Sequence, residues 1–254
     1  MKLHKKKKIK WPWQVWLGLV LVASSALIYF IHYLFFHDLH HILIYLVGDI
    51  AFVPIEVLLV TLILHKLLTN MEKTALMEKM NMIIGAFFSE VGTELLKYFS
   101  DCDPELQYIK EELLFKADCN HDNFQKASAA IKGFDYKVDM KKIELMGLRG
   151  FLQKHRDFLV RLLENPNLLE HESFTELLWA VFHLTEELMC RTSFADLPKT
   201  DIMHLSGDIK RVYLLLVKQW LDYMEHLKKN YPYLYSLAVR TNPFDEKALA
   251  VVME

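Results

Sequence analysis

Basic residues are missing from a long stretch near the start of the sequence: positions 11–64 contain no lysine or arginine. The chain of 254 residues also has only three cysteines, seven prolines and eight glycines. So few cysteines exclude a disulfide-rich secreted scaffold, and so little glycine and proline exclude a collagen-like sequence. The hydrophobic share of 53% excludes an intrinsically disordered chain. The net charge of −2 argues against a nucleic-acid partner.

The charges divide the chain into three parts. Residues 1–10 carry six lysines and no acid, whereas residues 11–64 carry three acids, Asp38, Asp49 and Glu56. Residues 65–254 hold the remaining 24 of the 30 basic residues and 29 of the 32 acidic residues. This pattern predicts a basic leader, a membrane-embedded segment and a soluble domain.

Two apolar stretches are long enough to cross a bilayer, which takes about 20 residues. They cover residues 15–36 and 42–64 and are separated by a turn of five residues, which predicts a transmembrane helical hairpin. Lysines flank the two outer ends, and the turn has none. The positive-inside rule therefore places both termini in the cytoplasm. The predicted location is the inner (plasma) membrane, which the chain crosses twice. A cleaved signal peptide is the alternative, but the apolar run continues beyond a typical signal sequence.

Helix signals continue through the rest of the chain. Asp103-Pro104-Glu105, for example, combines an N-cap acid, a proline at the first helical position and an acid in the first turn. Asp139, Ser173 and Asp201 are predicted to cap later helices. The predicted helices cover residues 65–99, 103–117, 124–132, 140–164, 173–191, 201–229 and 231–240. No segment has the apolar alternation that is typical of a strand.

The predicted fold is therefore all-α, a two-span transmembrane helical hairpin followed by a cytoplasmic α-helical bundle. Its parts are a basic leader (1–14), the hairpin (15–64), a helix continuing from the second span (65–100), the bundle (101–241) and a tail (242–254). The three cysteines, which form no C-x-x-C pair, agree with a reducing cytoplasm.

Two acids lie inside the second predicted span. Asp49 and Glu56 are seven residues apart, so they share one helix face, and Pro54 between them favours a kink. Because a lipid-exposed carboxylate is unfavourable, both should face a partner, water or another copy of the chain. Two interpretations follow: a cation or proton path in a homo-oligomer, or hydrogen bonds that hold the helices together. Residues of the first span at similar depth that could pair with the acids are Ser24, Ser25 and His32.

The turn between the spans is a second candidate site. His37, Asp38, His40 and His41 offer three imidazoles and one carboxylate, which are ligands that zinc or copper accepts. Their spacing matches no specific zinc motif, and histidine is also common at membrane interfaces. Metal binding and a purely interfacial role both remain open for this turn.

An enzyme receives less support from the sequence. His121-Asp122 supplies one dipeptide of a metal-dependent hydrolase, and Arg149 with His155 resembles the Arg-x(4–6)-His pattern of helical ribonucleases. Asp201-x-x-His204 is the nearest variant of a di-iron motif. No phosphate-binding glycine loop or nucleophile elbow occurs, so we predict no catalytic residue and no cofactor. A membrane-anchored hydrolase or nuclease stays as a third hypothesis.

Three stretches resemble prokaryotic two-span membrane proteins of unknown function. They are Phe88-Ser89-Glu90, residues 163–169 (LENPNLL) and residues 241–245 (TNPFD). The resemblance implies the two-span layout and no particular activity. The leading hypothesis is a self-associating membrane anchor with a regulatory or scaffolding role, whose partners are membrane lipid, a second copy of the chain and a cytoplasmic protein. The runner-up is an oligomeric cation or proton channel that uses Asp49 and Glu56.

Overall fold

The computed structural model describes residues 13–252, and this part of the chain is helical without a strand. The predicted basic leader, including its lysines and Trp11, lies almost wholly outside the described residues. The α-helices are α1 (Trp13–Phe36), α2 (Leu39–Phe87), α3 (Thr93–Asp101), α4 (Lys110–Leu113), α5 (His121–Gly133), α6 (Leu145–Leu163), α7 (Glu172–Cys190), α8 (Lys199–Asn230) and α9 (Pro232–Arg240). A π-helical turn covers Phe88–Gly92, and 3₁₀ turns cover Leu106–Tyr108 and Pro166–Glu170. The chain divides into two compact units between Met71 and Glu72.

The first unit holds two apolar helical stretches. The described chain has two helices that are long and apolar enough to cross a membrane, α1 and the one that starts at Leu39. Within residues 13–252, no other part of the structure buries these apolar stretches. Asp38 separates the helices and caps α2, since its Oδ1 accepts a hydrogen bond from the His41 backbone N–H at 3.0 Å.

The second unit is a helical bundle built around α8, which packs against α3, α5, α7 and α9. The predicted apolar stripe of α8 is confirmed. Its five members are all buried: Ile209, Val212, Leu216, Trp220 and Met224. Around Trp220 the core is aromatic, because its ring centroid lies 5.7 Å from Phe115 and 5.1 Å from Phe244. Phe244 belongs to the segment that follows α9, so residues beyond 241 contribute to the core.

Two adjacent phenylalanines account for the π-helical turn after α2. Phe87 and Phe88 are both buried, although neighbouring residues on a regular helix point about 100° apart. Phe87 contacts Phe174 of α7, and Phe88 stacks on Tyr223 of α8. Gly92 closes the turn, and a Cβ there would lie 2.7 Å from the Phe88 ring. The predicted long helix over residues 65–99 is part of a continuous helix from Leu39 to Asp101, and burial of both rings accounts for the π-helical turn within it.

The predicted helix over residues 103–117 is wrong. The Asp103 carboxylate accepts a hydrogen bond from the Glu105 backbone N–H at 2.9 Å, which forms a local turn instead of an α-helical start. The chain continues as one 3₁₀ turn and the single-turn helix α4. Burial of Leu106, Ile109 and Leu113 determines this course, so tertiary packing prevails over the start signal.

Three predicted helix caps are wrong, because each side chain has a different partner. Asp139 binds the Lys141 backbone N–H in a turn, and α6 starts only at Leu145. Ser173 contacts Gln219 of α8, and His171 caps α7 instead, through an Nδ1 that accepts from the Phe174 N–H at 3.3 Å. Asp201 lies inside α8 and pairs with Arg191. A short polar side chain near a helix start predicts the region of the start, whereas the capping residue depends on competing partners.

Candidate functional site

The two acids of the second predicted span lie on the exposed surface of α2. Asp49 and Glu56 are both exposed, and Pro54 lies within the same helix. Within residues 13–252 neither carboxylate forms a hydrogen bond or an ion pair. Ser24 and Ser25 are exposed on α1 and do not reach Glu56. Among the described residues, both acids are therefore open to an outside partner.

His32 lies beside the predicted metal turn instead of beside Asp49. Its ring is parallel to that of His41, with centroids 6.2 Å apart, and its Nδ1 is buried without a hydrogen bond in the described chain. Asp38 is engaged in capping α2, and His37 adopts a positive φ of 51°. The described residues contain one group of three or more metal-type ligands, and it lies elsewhere. The structure thus does not bring the side chains of His37, Asp38, His40 and His41 together.

That group joins α7 and α8 close to the loop that connects them. The group consists of His183, His204 and Asp208, and we call these three residues together with the neighbouring Glu187 the α7–α8 cluster. His183 and Glu187 are four residues apart on α7, and His204 and Asp208 are four apart on α8, so each pair lies on one helix face. Asp208 Oδ2 lies 3.5 Å from His183 Nε2 and 3.4 Å from His204 Nε2. Glu187 Oε2 lies 3.5 Å from His204 Nε2.

Arg191 forms hydrogen bonds at the edge of this cluster. Its guanidinium donates to both oxygens of Asp201, at 2.9 and 2.6 Å, and to Glu187 Oε2 at 2.8 Å. These hydrogen bonds lower the pKa values of Glu187 and Asp201, because the cation favours the charged carboxylates. The end of α7 is thereby tied to the start of α8. Glu187 stays ionised beside the two histidines.

Sequence reasoning missed the α7–α8 cluster although a signal was present. Asp201-x-x-His204 resembles a variant of a di-iron motif. In the structure Asp201 forms an ion pair with Arg191, and His204 lies beside Asp208. The informative spacing is i,i+4, in His183-x-x-x-Glu187 and His204-x-x-x-Asp208. Two such pairs on helices joined by a short loop come to face each other across the hairpin. The sequence alone does not show which faces meet.

A second feature of the bundle is a groove of about 720 Å³ beside the π-helical turn. It is lined by α2, α8 and α9, with mostly apolar side chains that include Met82, Leu234 and Leu237. His226 lies in its wall, where Nδ1 is 3.1 Å from Asn81 Nδ2 and Nε2 is buried without a hydrogen bond in the described chain. Burial lowers the pKa of His226, so this imidazole is neutral at physiological pH. The groove offers an apolar surface with a polar anchor.

The candidate residues for a hydrolase or nuclease form hydrogen bonds with other residues of the bundle. His121 lies in the first turn of α5 and pairs with Glu225 at 2.7 Å on the exposed surface. Arg149 donates to the Arg191 carbonyl at 2.9 Å, and His155 contacts the Phe151 carbonyl through Nδ1 at 2.8 Å. Each of the three therefore already has a partner from the bundle.

The fold and the cluster define an all-helical protein with an apolar N-terminal pair of helices and a C-terminal helical domain. Two family models match the chain: MJ1433, N-terminal helical domain, over residues 5–68, and Uncharacterized protein MJ1433, C-terminal helical domain, over residues 76–240. Uncharacterized protein MJ1433 of Methanocaldococcus jannaschii is 47% identical over 235 residues, which cover 92% of this chain and 94% of that protein. The chain belongs to the MJ1433 family. No solved structure matches it.

Proposed function

We propose that the chain is a self-associating integral membrane protein of the plasma membrane that anchors a cytoplasmic, partner-binding helical domain. The observation that carries this proposal is the pair of apolar helices whose surfaces no other part of the described chain covers. Exposure of these apolar surfaces to water would be strongly unfavourable, whereas in a bilayer they are solvated by lipid. The lysines at both outer ends and their absence from the turn support cytoplasmic termini.

Self-association is supported by the two acids on α2. Asp49 and Glu56 are exposed and without partners in the described chain, and Glu56 lies deep within the apolar stretch. A second copy of the same helix would bury these groups against each other as hydrogen-bonded carboxyls. The groove beside the π-helical turn supports the partner-binding role, because its apolar lining suits a side chain or a short helix of another protein.

A cation or proton channel is the second candidate. It is favoured by the same exposed acids, because a ring of carboxylates from several copies would line a central path. The two candidate functions differ in the side chain that they require at position 56. A channel needs an ionisable group at position 56, whereas helix association needs only a hydrogen-bonding group.

The substitution Glu56→Leu tests self-association. The parent chain is expected to stay in the membrane pellet after an alkaline carbonate wash and to form an oligomer in lipid nanodiscs. Glu56→Leu is expected to weaken association by about 1–2 kcal/mol, roughly 5- to 30-fold, because an interhelical hydrogen bond is lost. Dilution in nanodiscs, followed by single-molecule subunit counting, gives the association constant.

Two further variants complete this test. Val57→Leu changes an exposed apolar residue of the same helix and should leave association unchanged. Glu56→Gln retains a hydrogen-bonding group, so it should preserve the oligomer. A monomeric parent chain, or a Glu56→Leu variant that associates like the parent, contradicts the proposal. Cation flux in proteoliposomes that Glu56→Gln abolishes, with the oligomer intact, would establish the channel instead.

A further inference from the structure

We propose that the α7–α8 cluster binds one divalent transition metal ion of the zinc class. The ligands are His183 Nε2, His204 Nε2 and Asp208 Oδ2. The site goes beyond membrane anchoring and self-association, because every ligand belongs to the helical domain. Bound metal would join the end of α7 to the start of α8.

Two of the three distances between ligand atoms fit a tetrahedral ion. The atoms of His183, His204 and Asp208 all lie within 4.8 Å of one another, and the two histidine–aspartate separations are 3.5 and 3.4 Å. Zinc–ligand bonds of about 2.0–2.1 Å in a tetrahedron place neighbouring ligand atoms about 3.3–3.4 Å apart. An octahedral magnesium ion would require about 2.9 Å, and magnesium prefers oxygen to imidazole nitrogen. Donor type and spacing therefore both favour the zinc class.

The buried aspartate gives an independent indication of a ligand. The Asp208 side chain is only 5% exposed, and its Oδ2 forms no hydrogen bond in the described chain. Its other oxygen, Oδ1, contacts Arg211 at 3.4 Å. A buried carboxylate oxygen without a hydrogen-bond donor is unfavourable, and a cation held by the two imidazoles facing it would compensate this charge.

A second carboxylate, that of Glu187, borders the three ligands. Glu187 Oε2 accepts from Arg191 at 2.8 Å, and Oε1 lies 3.9 Å from His183 Nε2. Arg191 thus holds the Glu187 carboxylate beside the two histidines, where its negative charge favours a cation at the three ligands. Three protein ligands leave the fourth position of a tetrahedral zinc ion open to water.

Metal titration of the full-length chain tests this site. The untagged protein in detergent carries His37, His40 and His41 replaced by alanine, so that the turn adds no second site. After removal of metal with chelator, calorimetric titration with Zn²⁺ should show one ion per chain. His183→Ala, His204→Ala and Asp208→Asn should each weaken affinity by more than about 100-fold, since loss of even an outer-shell partner reduces affinity 10- to 100-fold.

The matched control removes a histidine that lies outside the α7–α8 cluster. His121→Ala breaks the exposed pair with Glu225 and should leave zinc affinity unchanged. The side chains of His183 and His204 are half-exposed, so both alanine variants should fold and melt within a few degrees of the parent. Zinc affinity that survives in the His183→Ala/His204→Ala double variant, or a parent chain that binds no zinc, overturns the proposal.

Discussion

Replacing Phe174 with alanine is expected to destabilise the helical domain by about 3–5 kcal/mol, because deletion of a buried aromatic side chain leaves a cavity. Phe174 is fully buried, and its ring packs edge-on against Phe87 with centroids 5.5 Å apart. This contact connects α7 to the end of α2 within the second unit. Domains of this kind are stable by only about 5–15 kcal/mol, so the loss is a large fraction of the total.

The measurement for Phe174→Ala is thermal unfolding of the full-length protein in detergent, followed by the fluorescence of the buried Trp220. The midpoint should fall by roughly 10 °C, at about 2–4 °C per kcal/mol for a domain of this size. Trp179→Ala is the matched control on the same helix, since its side chain is 58% exposed. That control should change stability by no more than about 0.5 kcal/mol. Equal midpoints for Phe174→Ala and the parent would show that this packing is wrong.

Replacing Leu27 with arginine is expected to prevent stable insertion of α1 into the membrane. Leu27 is 58% exposed near the middle of this helix. Near the centre of a membrane span, leucine contributes about −0.5 kcal/mol and arginine about +3 kcal/mol to insertion, a difference of more than 100-fold. On a water-exposed surface the same substitution would have almost no effect. The experiment therefore distinguishes lipid from water as the surroundings of α1.

Membrane fractionation measures the effect of Leu27→Arg, with Leu249→Arg as the control. Leu249 is also exposed, at 48%, but it lies in the segment after α9. The control should remain in the carbonate-resistant pellet at the parent's yield, whereas the yield of Leu27→Arg in that pellet should be lower, because only the second span still anchors it. If both variants partition alike, α1 does not lie in lipid.

Residue patterns predicted the helical class and much of the α8 packing, because those depend on periodicity within one segment. The apolar stripe from Ile209 to Met224 is buried as predicted. The end of the first apolar helix at Phe36 also agrees with its predicted limit. In each case the local sequence contains both the apolar periodicity of the helix and the residues at which it ends.

The failures occur where a distant residue decides the local structure. The start signal at Asp103 is overridden by burial of Leu106 and Ile109, and Ser173 contacts Gln219 on α8 instead of capping α7. The α7–α8 cluster escaped prediction for the same reason. Its two pairs, 183/187 and 204/208, become one site only when the hairpin brings their faces together. Periodicity specifies a face of one helix but not its partner.

The most direct test of the central claim is the side of the membrane on which the helical domain lies. Cys190 is exposed at the end of α7, so a membrane-impermeant maleimide can report its location in a chain with Cys102 and Cys119 replaced by serine. A second chain carries the single cysteine at the turn, as His40→Cys. We expect labelling of Cys190 in inverted vesicles only, and of the His40→Cys thiol in intact cells only. Labelling of Cys190 in intact cells, or of both positions from one side, would contradict a two-span anchor that holds the bundle in the cytoplasm.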